Sequence, residues 1–285
     1  MWLGFFLALS AQILWGFLPL YFQTVNSFTP LAISFYRIIF SCIFVFFWLL
    51  LSGKLTKAWQ LIADLKTFFV LALSSILLIG NWLIYTTAID LGRVLEGSLG
   101  YFIYPLLNVA LGRIIFKDRL NRIQKIAIFL TSLSVLYLIF FYGYFPWFAF
   151  GVAITFSLYG AIRKKINCNP SRALFIETLI LSPIAIVVIY YFIPAPNVLF
   201  DDWLWLFLIG PLTVISLVLF TKALAILPLH LAGMMSYTGP FLQFLMGLYL
   251  GEKLDINKLL AFVFIWVALG IYTFGTVKFA HHKQS

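Results

Sequence analysis

The sequence predicts an all-α integral membrane fold: ten transmembrane helices as two inverted five-helix repeats, with both termini cytoplasmic. Three observations predict it. Of 285 residues, 64% are hydrophobic and only 10% charged, where a soluble domain carries about 45–50% apolar and about 25% charged residues. Apolar runs of spanning length recur ten times along the chain. The basic residues are distributed unequally between the two sides those runs define.

The runs cover residues 2–22, 30–51, 67–89, 94–116, 122–141, 144–162, 171–193, 202–226, 229–250 and 258–278. Crossing the hydrocarbon takes about 20 mostly apolar residues, and backbone groups in lipid must bond within their own segment, so each run reads as a helix. The first, "MWLGFFLALSAQILWGF", lacks a basic n-region and a small-residue cleavage site and reads as a retained helix. The gaps between runs are too short for a soluble domain.

The net charge is +10. With the N-terminus inside, fifteen of the 19 Lys and Arg residues fall on the inner side, among them Lys54, Arg113, Arg163 and Lys222; three fall outside, among them Arg93; Arg37 stays within a span. The positive-inside rule then places both termini in the cytoplasm. The basic excess is an orientation signal, and its scatter over short loops excludes a nucleic-acid partner. The lipid bilayer is the partner expected. Cys42 and Cys168 suggest neither a disulfide framework nor a metal site. A P-loop, H-E-x-x-H and G-x-S-x-G are all missing, so no cofactor, ATP drive or hydrolase site is expected and the chain does not read as an enzyme.

The chain repeats itself weakly. "AIDLGRVLEGSLGYFIYPLLNVALG" (88–112) aligns with "ALAILPLHLAGMMSYTGPFLQFLMG" (223–247) at a constant offset of 135, which sets Ala88 on Ala223 and Pro105 on Pro240. The halves are residues 1–141 and 142–285. Five helices is an odd number, so the halves lie inverted, a device of secondary transporters with a site at the midplane on irregular helices. A small-molecule substrate follows. A membrane-embedded binding protein or enzyme without transport activity is the alternative, and oligomeric state, a homodimer included, stays open.

Tyr101, Tyr104 and Asn108 share one face of the fourth span; Ser236, Gly239 and Gln243 are the matched positions in the ninth. Pro105 and Pro240 each remove a bond to the carbonyl four residues earlier, freeing those of Tyr101 and Ser236 at membrane depth. Such groups need protein, water or ligand, and a cavity between the fourth and ninth helices would supply it. Trp15, Tyr101, Tyr104, Tyr159 and Tyr237 suit an amphipathic solute by stacking or cation–π contact, and equally suit lipid contact. Asn81 and Tyr85 line the path or bond neighbouring helices.

Intramembrane charges are costly and default to function. Arg37 and Glu177 each lie about seven residues into a span. Glu96, near the outer end of the fourth helix, is better placed to pair with Arg37 than Glu177 is. An Arg37–Glu96 pair reads equally as a structural tie and as a functional group. Glu177 is the proton-site candidate, since burial disfavours its charged form.

"LWGFLPLYF", "YRIIFS", "NWLIYTTAIDLGRVLEGSLGYFIYPLLNVALG", "SLYGAIRKK", "ETLILSPIA" and "YTGPFLQFLMGLYLGEKL" resemble the RarD branch of the EamA-type drug/metabolite transporters, over nearly the whole chain. The resemblance implies a multi-pass permease of the bacterial inner membrane, with a central cavity, moving small metabolites or drugs, often outward. It supports roles for Arg37, Arg93, Glu96, Gly100, Pro105 and Glu177. Tyr36, Tyr104 and Ser236 stand where the family pattern leads one to expect His, Asn and Gln.

Overall fold

In a chain this apolar, main-chain groups bond along their own helix. The computed structural model describes residues 2–91, 93–142, 145–166, 168–194, 198–249 and 256–282, and its regular structure is α-helical. In chain order come α1 (Trp2–Gly16), α2 (Leu18–Thr24), α3 (Pro30–Leu51), α4 (Leu55–Ala63), α5 (Leu65–Asp90), α6 (Val94–Ile115) and α7 (Arg122–Tyr142). They are followed by α8 (Trp147–Ile166), α9 (Pro170–Phe192), α10 (Phe200–Ile226), α11 (Leu229–Met235), α12 (Thr238–Tyr249) and α13 (Ile256–His282). Among the described residues, five segments are long and apolar enough to cross a membrane: Trp2–Thr24, Pro30–Leu51, Leu65–Ala88, Pro170–Phe192 and Phe200–Ile226. Leu99–Ile115 and Val263–Tyr272 are apolar but shorter.

Local chemistry sets the helix starts. Thr29 caps α3 by accepting from Ala32 N at 3.2 Å, with Pro30 in the first helical turn. Asn169 and Pro170 open α9 in the same way. Asn121 and Gln124 form a reciprocal capping box at α7, with bonds of 2.8 and 2.9 Å. The Asn121 amide also donates to Gly275 O at 2.8 Å, tying α7 to α13.

The connection between the second and third predicted spans contains a helix of its own, α4. It buries Ala58 and leaves Trp59 largely exposed, its ring edge-on to Phe175 of α9 at 5.8 Å. Asp64 then starts α5, accepting from Lys66 N at 3.2 Å, Thr67 N at 3.3 Å and the Thr67 hydroxyl. The Thr67 hydroxyl bond foremost holds the Asp64 carboxyl below its ordinary range.

Two predicted spans are divided. Residues 2–22 become α1 and α2, parted at Phe17; residues 229–250 become α11 and α12, parted at Ser236–Tyr237. The matched prolines therefore act differently. Pro240 sits in the first turn of α12, where its missing N–H breaks no bond. Gly239 beside it lets Gln12 of α1 approach: a Cβ on Gly239 would lie 2.6 Å from Gln12 Oε1. Pro105 follows Tyr104 instead, and α6 continues through it.

α3 packs against α9 and α10, α1 against α10 and α12, α8 against α5 and α6, α11 against α6, and α7 against α13. Close crossings use glycine. A Cβ on Gly210 would stand 2.5 Å from the Phe40 carbonyl carbon, where α10 meets α3. One on Gly100 would stand 2.8 Å from Ala149 O, where α6 meets α8.

Candidate functional site

The crossing of α6 and the α11–α12 break gathers Tyr104, Asn108, Ser236 and Tyr237 of the residues singled out in the sequence. Gly233 permits it, since a Cβ there would lie 2.7 Å from Asn108 Cβ and 3.0 Å from Pro105 O. The two polar faces thus pack directly on one another at this point. Ser236 accepts from Gln12 Nε2 at 3.1 Å, donates to Ala232 O at 3.0 Å and stands 3.5 Å from the Tyr104 hydroxyl. The Tyr237 hydroxyl donates to Phe102 O at 2.9 Å, and the Ser157 hydroxyl to Tyr104 O at 3.3 Å. Asn108 is fully buried; its amide faces the Tyr104 hydroxyl, and no hydrogen bond of ordinary geometry reaches either of its polar atoms among the described residues. A buried amide left so is expensive, which is why such groups mark functional positions or ordered water.

Around this crossing lies an aromatic cluster centred on Phe156. Trp15, Tyr104, Tyr159 and Phe220 surround it with centroid separations of 5.7, 5.0, 5.8 and 5.6 Å. Gln243 of α12 donates to Trp15 O at 3.1 Å.

A second polar place joins α3, α5 and α10. Arg37 Nε donates to Thr213 Oγ1 at 2.6 Å, and the guanidinium stands over the Trp82 ring, 4.2 Å from its centroid. One turn from Trp82, Tyr85 meets Tyr101 edge-on at 5.6 Å. Asn81 is used between helices, donating to Val152 O at 2.8 Å and Thr155 Oγ1 at 3.1 Å across the α5–α8 contact.

The expected pairing of Arg37 with Glu96 is not what the structure contains, and Glu177 is not its partner either. Glu96 pairs with Arg93 at 2.7 Å, three residues earlier at the N-cap of α6, and accepts from Phe148 N at 2.9 Å. Local geometry wins there, because a cap residue and a first-turn residue three positions on meet without rearranging the helix. Glu177 pairs with Arg163 at 3.4 Å and accepts from Ser74 Oγ at 2.6 Å, fully buried between α5, α8 and α9. Arg163 also donates to Pro170 O at 3.2 Å.

Arg163 lies in the last turn of α8, a helix end as the charge reading had it, and its side chain is buried at 2% exposure rather than open to water. A signal was present: Phe156, Tyr159 and Arg163 follow i, i+3, i+7 spacing, one helix face. Phe156, Phe220, Trp82, Thr213 and Ser74 were also missed, since apolar and hydroxyl residues do not stand out in a chain this rich in them. At the end of α6, Asp118 stands 2.8 Å from His230 Nδ1, joining the α6–α7 connection to α11.

The profile of the EamA-like transporter family matches the chain twice, over residues 2–140 and 145–274. The chain is 38% identical over 278 residues to the uncharacterized transporter PA0485 of Pseudomonas aeruginosa, covering 95% of this chain and 93% of that protein. It is 36% identical over 281 residues to protein RarD of Salmonella typhimurium, covering 96% of this chain and 95% of that one. A solved crystal structure superposes with a TM-score of 0.73 at 17% identity, covering 95% of this chain and 97% of that one, a likeness of fold. The protein is a multi-pass protein of the bacterial inner membrane, and the chain belongs to the EamA-like transporter family as a RarD-like member.

Proposed function

We propose that this chain is a secondary transporter of a small metabolite or drug-like compound, working by alternating access and in the export direction. Ten spans carry it: α1–α2, α3, α5, α6 and α7 in one half, and α8, α9, α10, α11–α12 and α13 in the other. The halves, residues 1–141 and 142–285, lie inverted with both termini cytoplasmic. Two features support the inversion. The family profile matches each half separately. The packing also comes in exchanged pairs: α1 meets α10 as α8 meets α5, and α8 meets α6 as α1 meets α12, while α3–α9, α6–α11 and α7–α13 each join equivalent helices.

The observation that carries the transport function is the crossing of Pro105-bearing α6 with the broken α11–α12, where fully buried Asn108 faces the Tyr104 hydroxyl, itself 3.5 Å from Ser236. Irregular helices at a repeat interface are where transporters of this design bind solute. Trp15, Tyr101, Tyr104, Asn108, Tyr159, Ser236, Tyr237 and Gln243 form the path around that crossing, with Asn81 and Tyr85 beside it. Pro105 and Pro240 let the two helices rearrange. Glu177, held by Arg163 and Ser74, is the coupling carboxylate.

Counterflow in proteoliposomes tests this. Preloading with unlabelled solute must accelerate uptake of the labelled form. Binding of a solute without exchange would favour the binding-protein alternative and reject transport.

A further inference from the structure

Arg37 differs from the other deep charges. Glu96 and Glu177 are each paired with an arginine. The partners of Arg37 are neutral, the Thr213 hydroxyl at Nε and the Trp82 ring under the guanidinium. Among the described residues no carboxylate pairs with it. The ionisable groups nearest in influence are the phenols of Tyr101 and Tyr21, neutral in their ordinary state.

Arg37 is deeply surrounded. Thr213 and Trp82 are buried, at 1% and 8% exposure, and Arg37 as a residue keeps only part of its surface open. A guanidinium inside a membrane segment faces the bundle interior or water rather than lipid. Thr213 occupies Nε, so the Nη1/Nη2 fork is the part left without a hydrogen-bond partner among the described residues. That fork is the end of arginine that grips a carboxylate through two parallel bonds.

The surroundings narrow the ligand further. Trp82 and Tyr85 lie one turn apart on α5, and Tyr85 meets Tyr101 of α6. Aromatic walls alone attract cations and neutral rings. Here a fixed positive charge already stands over the Trp82 face, and in a low-dielectric setting it repels a second cation and attracts an anion.

We propose that Arg37 anchors the anionic group of the transported solute, and that the substrate class is a small organic carboxylate whose flat or apolar part packs against Trp82, Tyr85 and Tyr101. The substrate assignment rests on the transporter function proposed above. Arg37 is in that case a specificity-determining residue rather than a helix tie.

Matched probes of one shape and different charge test it. Melting of the purified full-length protein is followed in detergent with benzoate and, separately, with benzamide. Benzoate raises the melting temperature with dose and benzamide at equal concentration does not. Arg37→Gln weakens benzoate binding by about tenfold or more, and Arg37→Lys retains part of it, since charge survives and the fork does not. Thr213→Val removes the Nε partner and leaves benzoate binding in place. Equal stabilisation by the two probes, none by benzoate, or unchanged benzoate binding in Arg37→Gln would overturn the proposal. Should Arg37→Gln fail to fold, the probe pair on the unaltered protein and Arg37→Lys still decide. Failed counterflow with intact benzoate preference would reject transport and leave the anion site standing.

Discussion

The side-chain amide of Gln243 donates to the main-chain carbonyl of Trp15 at 3.1 Å, across 228 residues of chain. Pro19 explains why that carbonyl is available. Four residues after Trp15, it has no N–H to give, and the helix parts there into α1 and α2. A residue of the second half thereby completes the backbone of the first. Gln243→Leu should lower stability by about 1 kcal/mol, the net worth of a partly buried hydrogen bond. Thermal melting in detergent checks it. A variant melting with the parent would mean that Trp15 O finds another donor.

The α6–α11 crossing depends on a missing side chain. A Cβ on Gly233 meets Asn108 Cβ at 2.7 Å and Pro105 O at 3.0 Å, and the second of these is backbone that cannot rotate away. Gly233→Ala should therefore cost about 1–3 kcal/mol by overpacking and slow counterflow more than an alanine at an exposed helical position does. Unchanged melting and exchange would show that the crossing is looser than drawn.

The buried Arg163–Glu177 pair predicts unequal costs for single and double removal. Removing one partner, as in Arg163→Gln, leaves a buried charge uncompensated and should cost about 3–5 kcal/mol. The double variant Arg163→Met/Glu177→Met should cost far less than the sum of its single changes. A double-mutant cycle reads the difference directly, and additive losses would count against coupling of the two groups.

Glu177→Gln removes the titration, at a stability cost like that of Arg163→Gln because it leaves the buried Arg163 uncompensated. Transport by this variant should lose its pH dependence while solute binding persists. Proteoliposomes assayed across a pH series decide, and an unaltered pH profile removes Glu177 from coupling.

Cys168 reports orientation. It precedes α9, and burial foremost pushes its thiol above the ordinary range, so thiolate is scarcer than in free cysteine near neutral pH. A membrane-impermeant maleimide should modify it slowly, faster as pH rises, and from the cytoplasmic face. Labelling of intact cells from outside would reverse the proposed topology. Cys42, mid-way along α3, should stay unmodified by the same aqueous reagent.

The sequence by itself determined the all-helical membrane character, because no other arrangement satisfies backbone groups in runs this apolar. It also marked Pro105, Pro240, Asn108, Arg37, Glu96 and Glu177, since polar or helix-breaking residues are conspicuous in an apolar chain. The outcome at each proline was not legible. Pro240 opens a new helix and Pro105 is carried through, a difference set by Gly239, Gly233 and the neighbours that close on them. Partner choice was not legible either. Depth along a span can be counted at about 1.5 Å per residue, but which face of a helix meets which neighbour depends on tilt and rotation fixed by packing. That is why Glu96 turned to Arg93, why Glu177 found Arg163, and why only the tertiary structure left Arg37 without a carboxylate among the described residues.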